Sequence, residues 1–216
     1  MDLINSVNQF ICKQKNIPSE IWDIIKNYTY FEINDTNIKI AVGMWRENKN
    51  KALILYGNIS YWDTSMVTDM SCLFSCFYYF NDNIKDWNVS NVTNMNYMFY
   101  SSPFNQDISN WNVSNVKNMC GMFAYAYKFN QPLNNWNVSN VENMGYMFKH
   151  ANSFNQDINN WNICNVKNMK EMFFHAYKFN QSLDKWNICN VKCVLHMFEG
   201  VDSFNKHSIK NQESEY

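Results

Sequence analysis

Glycine and proline are scarce in this chain, five and three in 216 residues, and the glycines are scattered. Neither G-x-G-x-x-G nor G-x-x-x-x-G-K-[ST] occurs, so no glycine-rich phosphate cradle is expected. No run of ~18 apolar residues is present, which argues against a membrane-spanning helix. Charge of either sign is not in excess: the formal net charge is −1 and the pI about 6.4. That balance gives no electrostatic reason to expect nucleic acid or an anionic membrane as partner. The opening MDLINSVNQFICKQKNIPSE has no basic leader followed by a long apolar core, so no secretion signal is expected. Cys12, Cys72, Cys76, Cys120, Cys164, Cys189 and Cys193 are odd in number. Without a leader they fit reduced thiols in an intracellular compartment better than a disulfide framework.

What the chain does have is aromatics, 17% of it, together with 13 methionines and frequent asparagine, within 46% hydrophobic residues. That composition belongs to a folded protein, and these residues recur at a fixed period. Trp62, Trp87, Trp111, Trp136, Trp161 and Trp186 are separated by 25, 24, 25, 25 and 25 residues. The third residue of each unit is Thr64, Val89, Val113, Val138, Ile163 or Ile188, and the sixth is always Val. Met or Val holds the ninth place, Leu or Met the twelfth, and Phe follows from Phe74 to Phe198. A second Phe-Asn pair closes the variable loop, and an aliphatic residue follows four places after that Phe in the first five units.

Two periods are visible inside one unit. Ile108, Trp111 and Val113 end in a period-two alternation, as a half-buried strand does. Val116, Met119, Met122 and Phe123 follow at three-residue spacing, as one face of a short helix or 3₁₀ turn would require. Such a unit of about 25 residues cannot bury its apolar edge alone, and stacked copies can.

The phrase I-x-x-W-x-V-S-x-V-x-x-M-x-x-M-F-x-x-A resembles the BspA-like leucine-rich repeat in its W-[ND]-[TV]-S-x-V-T-x-M-x-x-M-F variant, and WDTSMVTDMSCLF at Trp62 to Phe74 is similar to the form of its first repeat. The resemblance implies an α/β fold: a leucine-rich-repeat-like solenoid of six strand-plus-short-helix repeats with an N-terminal helical cap. It implies a surface or interaction protein of the kind found in bacteria, protists and large DNA viruses. With no leader, the expected location is the cytoplasm of the source or infected host cell.

The expected organisation is a helical segment at 1–36, a solenoid cap at 37–61, six repeats at 62–208 and a polar tail at 209–216. In the cap, Ala41, Val42 and Trp45 suggest a helix face, and Leu53, Leu55 and Ile59 lead into a first strand after a turn at Gly57. IPSEIWDIIKNY resembles the opening helix of an F-box. That implies a Skp-type adaptor bound through Ile17, Pro18, Ile21, Trp22 and Ile25, and recruitment to a ubiquitin ligase. The plainer reading, a helical hairpin covering the first repeat, is preferred.

No catalytic set stands out, and no enzyme activity or cofactor is expected. Cys189, Cys193 and His196 lie at helical spacing, with Cys164 one unit earlier, a combination that zinc could use. Cys164 and Cys189, however, replace the serines of a small-residue column, so no metal is expected. Asn ladders after each Trp and within each turn are read as bonding turn backbones and neighbouring units. The ladder after Trp faces solvent on the strand and leaves open a glycan-binding or adhesive role. Specificity should lie in the columns that vary: Tyr97, Tyr100, Tyr125, Tyr127, Tyr146, His150, His175 and Tyr177 are the candidate partner-binding residues. The expected function is a monomeric, non-catalytic protein–protein interaction scaffold.

Overall fold

The computed structural model of the chain describes residues 32–201. Unit three, from Ile108 to Phe129, shows what the repeated phrase does. One turn closes from the Trp111 amide to the Ile108 carbonyl at 3.1 Å, and another from Val116 to Val113 at 3.0 Å. The W-x-V alternation is therefore three residues held between two turns. Beyond it the amides alternate in destination. Those of Met119, Gly121, Phe123 and Tyr125 donate to the carbonyls of Asn143, Gly145, Met147 and Lys149 in the next unit, at 2.7–2.9 Å. Those of Met122, Ala124 and Ala126 donate back three residues, to Met119, Gly121 and Phe123. Every buried amide in this ribbon thus has a partner, as a buried backbone requires.

This pattern corrects the expected fold class. The α/β solenoid of strand-plus-short-helix repeats behind a helical cap is not what forms. Among the described residues the parallel pairings are isolated, such as Asn94 with Asn118 and Asn118 with Asn143, and no strand is built from them. The only α-helices among those residues are two short ones that precede the repeats. The helical segment expected at 1–36 lies, up to residue 31, outside the described residues. The helix expected at Met119–Phe123 is prevented by backbone handedness. Gly121 and Tyr125 have φ of +61° and +58°, in the left-handed region. The same two places are left-handed in every unit: Cys72 and Cys76, Tyr97 and Ser101, Tyr146 and His150, Glu171 and His175, His196 and Gly200. A right-handed helix cannot pass through them. The three-residue apolar period is that of overlapping turns.

The inward stripe is one continuous core. Trp87, Val89, Val92, Met95, Met98 and Phe99, and their equivalents through Phe173, are buried. Phe74, Phe99, Phe123, Phe148, Phe173 and Phe198 stack with centroids 5.5–5.7 Å apart. Each of the first five also lies face to face on the second Phe of its own unit, at 3.8–4.2 Å. The buried indoles keep their polar edge satisfied. Trp87, Trp111, Trp136, Trp161 and Trp186 donate Nε1–H to the carbonyls of Ile59, Ile84, Ile108, Leu133 and Ile158, at 2.8–3.3 Å. Each tryptophan therefore fastens its unit to the preceding one.

Asparagine supplies the remaining ties. Asn91, Asn115, Asn140, Asn165 and Asn190 donate Nδ2–H to carbonyls of the unit before, at 2.7–3.2 Å. The amides of Asn105, Asn130, Asn155 and Asn180 donate to the Oδ1 of Asn81, Asn105, Asn130 and Asn155, at 2.8–2.9 Å. The asparagines after each Trp use Oδ1 locally, accepting the amide two residues on at 3.1–3.2 Å.

The two helices are α1, Ile38–Glu47, and α2, Lys49–Tyr56. Ile38, Ala41, Val42 and Trp45 are the buried side of α1, at the spacing of one helical face. Asn48 starts α2 by accepting the Lys51 amide, and Gly57, at φ +72°, ends it. Leu53 and Leu55 lie within α2 and do not lead into a strand. Helix α1 lies against the first unit, where the carbonyls of the ribbon have no preceding unit. Arg46 donates to the Ser75 and Cys76 carbonyls, at 3.5 and 2.9 Å, and Lys39 to Asp69 and Ser71. The carboxylate of Asp35 accepts the Thr68 and Asp69 amides and the Thr68 hydroxyl, at 2.6–3.0 Å. It stands where later units place a carbonyl: the Thr93 amide donates to the Thr68 carbonyl. Burial pushes the Asp35 carboxyl upward, yet these hydrogen bonds hold it below its ordinary value. No helix among the described residues is long and apolar enough to cross a membrane.

Candidate functional site

The side chains that vary between units sit on the turn ribbon, on the opposite side of the backbone from the phenylalanine stack. The left-handed residues carry several of the candidate partner-binding groups: Tyr97 and Tyr146 at the first left-handed place, Tyr125, His150 and His175 at the second. Their rings meet across units. Tyr97 contacts Tyr100 edge to face at 5.7 Å, and Tyr100 contacts Tyr125 at 5.5 Å. Tyr125 stacks on His150 at 4.7 Å, and His150 on His175 at 5.1 Å. Tyr127 and Tyr177 join from the side, against Tyr125 and His175. Seven of the eight candidates therefore form one unbroken chain of ring contacts. Tyr146 joins it through Lys149, whose Nζ lies 5.5 Å from the Tyr146 ring.

Tyr127 and Tyr177 are the most exposed of the eight, at 51% and 53%, and the other six are half-buried. Ile17, Pro18, Ile21, Trp22 and Ile25 lie outside the described residues.

Glycine sets the ends of the ring chain. A Cβ on Gly121 would come within 2.3 Å of the Tyr97 ring, and one on Gly200 within 2.1 Å of the His175 ring. Tyr97 and His175 thus lie flat over positions left empty in the following unit. These two glycines, with Lys149, Glu171 and Phe174, were not singled out from the sequence. In the aligned units both glycines stand in the variable registers, Gly200 in the column of Tyr125, His150 and His175.

The chain of rings borders a concavity of about 460 Å³. Tyr97, Tyr100, Tyr125 and Tyr146 line it, with Cys72, Ser75, Ala124 and Lys149. Lys149 is paired with Glu171, and both side chains are mostly buried, at 22% and 14% exposure. The same ammonium lies 4.8 Å from the Phe174 ring. Burial, and then the Cys120 thiol 3.9 Å from its hydroxyl, push the Tyr97 phenol up to about 12. The His150 imidazole is held below its ordinary value by burial first, then by His175 and Lys149. The His175 Nδ1 is buried with no hydrogen-bond partner. Tyr97 and His150 are accordingly neutral at pH 7, so the strip presents aromatic faces with one embedded ion pair.

Among the described residues no three His, Cys, Asp or Glu side chains are grouped as metal ligands. Cys164 and Cys189 are exposed on the serine column, and His196 pairs with Glu199 at 2.6 Å. The Oδ1 atoms of the asparagines after each Trp are engaged by their own turns, which reduces what that ladder can offer a ligand.

Comparison with curated proteins gave no match, and comparison with solved structures gave none. A family model matches residues 42–151 and again 101–212, which together span nearly all the units. The double, overlapping match is consistent with a BspA-type repeat protein. The chain belongs to the family described as Mycoplasma protein of unknown function, DUF285.

Proposed function

We propose that the chain is a non-catalytic scaffold that binds a protein partner through the ring strip from Tyr97 to Tyr177. The observation that carries this reading is the unbroken chain of ring contacts across units two to five. The core columns and most asparagine ladders are occupied in joining unit to unit, and the ladder after each Trp in closing its own turn. The strip is the extended surface whose residues change from unit to unit, and Tyr gives large contact area at low entropic cost. In this reading the repeat is the BspA-like W-x-V-S-x-V variant, the protein acts as a monomer inside the cell, and no cofactor takes part.

The test is affinity capture from the native source with quantitative mass spectrometry, using the wild-type chain and a Tyr125→Ser/His175→Gly variant. A partner captured by the wild type and lost by the variant is the expected result. Capture that is equal for the two, or a Skp-type adaptor lost only on Trp22→Asp, would move the function to the N-terminal segment. Glycan-array binding that survives the ring substitutions would replace the protein partner with a carbohydrate.

A further inference from the structure

We propose that the tyrosine concavity seats a proline-bearing extended peptide with an acidic residue beside its second proline. This rests on reading the strip as a partner-binding surface and names the class of partner.

The shape follows from which units carry large residues. At the place of Tyr100, unit three has Ala124, which is buried in the floor, and unit four has Lys149. Tyr97 and Tyr100 of unit two and Tyr146 with Lys149 of unit four flank Ala124. Cys72 and Ser75 of unit one continue the lining, and the Tyr97 ring leans over Gly121 of unit three. The ribbons of these units are joined by direct backbone hydrogen bonds of 2.7–2.9 Å. Neighbours linked in that way are ~4.8 Å apart, so the backbones that carry Tyr100 and Lys149 are separated by roughly 10 Å. A polyproline II peptide rises about 3.1 Å per residue with three residues per turn, roughly 9 Å per turn. Prolines at i and i+3 of a peptide running along the stack therefore fall beside units two and four in succession. The Tyr100 ring is edge to face with those of Tyr97 and Tyr125. Flat pyrrolidine rings pack into aromatic-lined grooves of this sort. A polyproline II backbone makes no internal hydrogen bonds, so its carbonyls are free to accept from tyrosine hydroxyls.

Charge selects the flanking residue. Lys149 and Lys170 both approach Glu171, Lys170 at 3.8 Å. Two ammonium groups share one carboxylate, which leaves one positive charge beside Lys149, carried by Lys170 of unit five at the edge of the concavity. A carboxylate on the peptide completes it. The same charges reject the other common guest of tyrosine cages, a methylated ammonium. Lys149 Nζ and Lys170 Nζ already lie 5.5 and 5.6 Å from the Tyr146 ring.

The experiment pans a phage-displayed dodecapeptide library against the full chain and measures the enriched peptides, fluorescein-labelled, by anisotropy. The expected consensus has prolines at i and i+3 and Asp or Glu next to the second. Binding should weaken at least tenfold on Tyr100→Ala. It should also weaken on Lys170→Glu and return when the peptide's acidic residue is changed to Lys, which a misfolded variant would not allow. Enriched peptides that need Tyr100 but lack the proline pair would overturn the ligand class and leave the strip as a binding surface. No enrichment, or peptides indifferent to Tyr100→Ala, would overturn the proposal and withdraw its support from the strip.

Discussion

The inward stripe and the outward ribbon of one unit are a few residues apart in sequence, yet they follow different rules. Inward, Trp, Val, Met and Phe repeat with hardly a change, because each side chain packs on the same side chain one unit along. A substitution there must fit two neighbours at once, in an interior packed as densely as a crystal. Outward, the two left-handed places hold Cys, Tyr, Ser, His, Glu and Gly. Most of these side chains carry a cost of about 1–2 kcal/mol in that conformation. The amides at these places donate to the next unit, so the conformation is imposed by the stack and chemistry is free to vary above it. Identity is demanded where side chains fill volume, and conformation alone where only the backbone is shared.

Three measurements would break or sharpen that contrast. Trp136→Ala removes an inward ring and the Nε1–H bond to the Ile108 carbonyl. It should cost about 3–5 kcal/mol in denaturant unfolding; an unchanged midpoint would mean that the inward stripe does not carry the stability. Gly121→Ala acts on the ribbon, where a Cβ meets the Tyr97 ring at 2.3 Å on a left-handed backbone. A loss of about 1–3 kcal/mol is expected, with the Tyr97 ring displaced. A neutral result would show that the ring moves aside freely.

The smallest effect is a pH dependence. His150 in the folded chain sits below its ordinary value of 6.5, so the unfolded chain binds the proton more readily. Stability from this group is then present above 6.5 and is lost as the pH falls from there toward the depressed folded value. The melting temperature should decline over that interval. His150→Asn, which tolerates the left-handed backbone, should flatten the decline. A decline of the same size in the variant would assign it to other groups.

The core was legible because its columns recur at one spacing, and hydrophobic volume leaves a direct mark on sequence. The ribbon was not. Met119 and Met122 are three apart in a helix and in overlapping turns alike, so the period does not tell them apart. What does is backbone handedness, and only Gly121 and Gly200 among the twelve left-handed places advertise it. Tyr146, Glu171 and His175 give no such sign. The strand reading failed for a related reason: Trp111 to Val113 alternates, but turns on both sides leave no room for a ladder. The candidate rings were readable as a variable, tyrosine-rich column. Their joining into one strip was not, since it depends on Tyr100 of one unit reaching Tyr125 of the next. Lys149 and Glu171 belong to different units and form a pair only after stacking.

The ties between units run in two senses. In the ribbon each unit donates forward, as Met119 does to Asn143, while the Thr93 column donates backward, as Lys117 does to Thr93. Every junction therefore carries the same pair of complementary edges. A block of about 25 residues can be copied or excised while each neighbour still meets the same backbone edge. The natural step of variation is then the whole block, and a gain or loss of one lengthens or shortens the surface while the backbone bonding of each seam stays as it was.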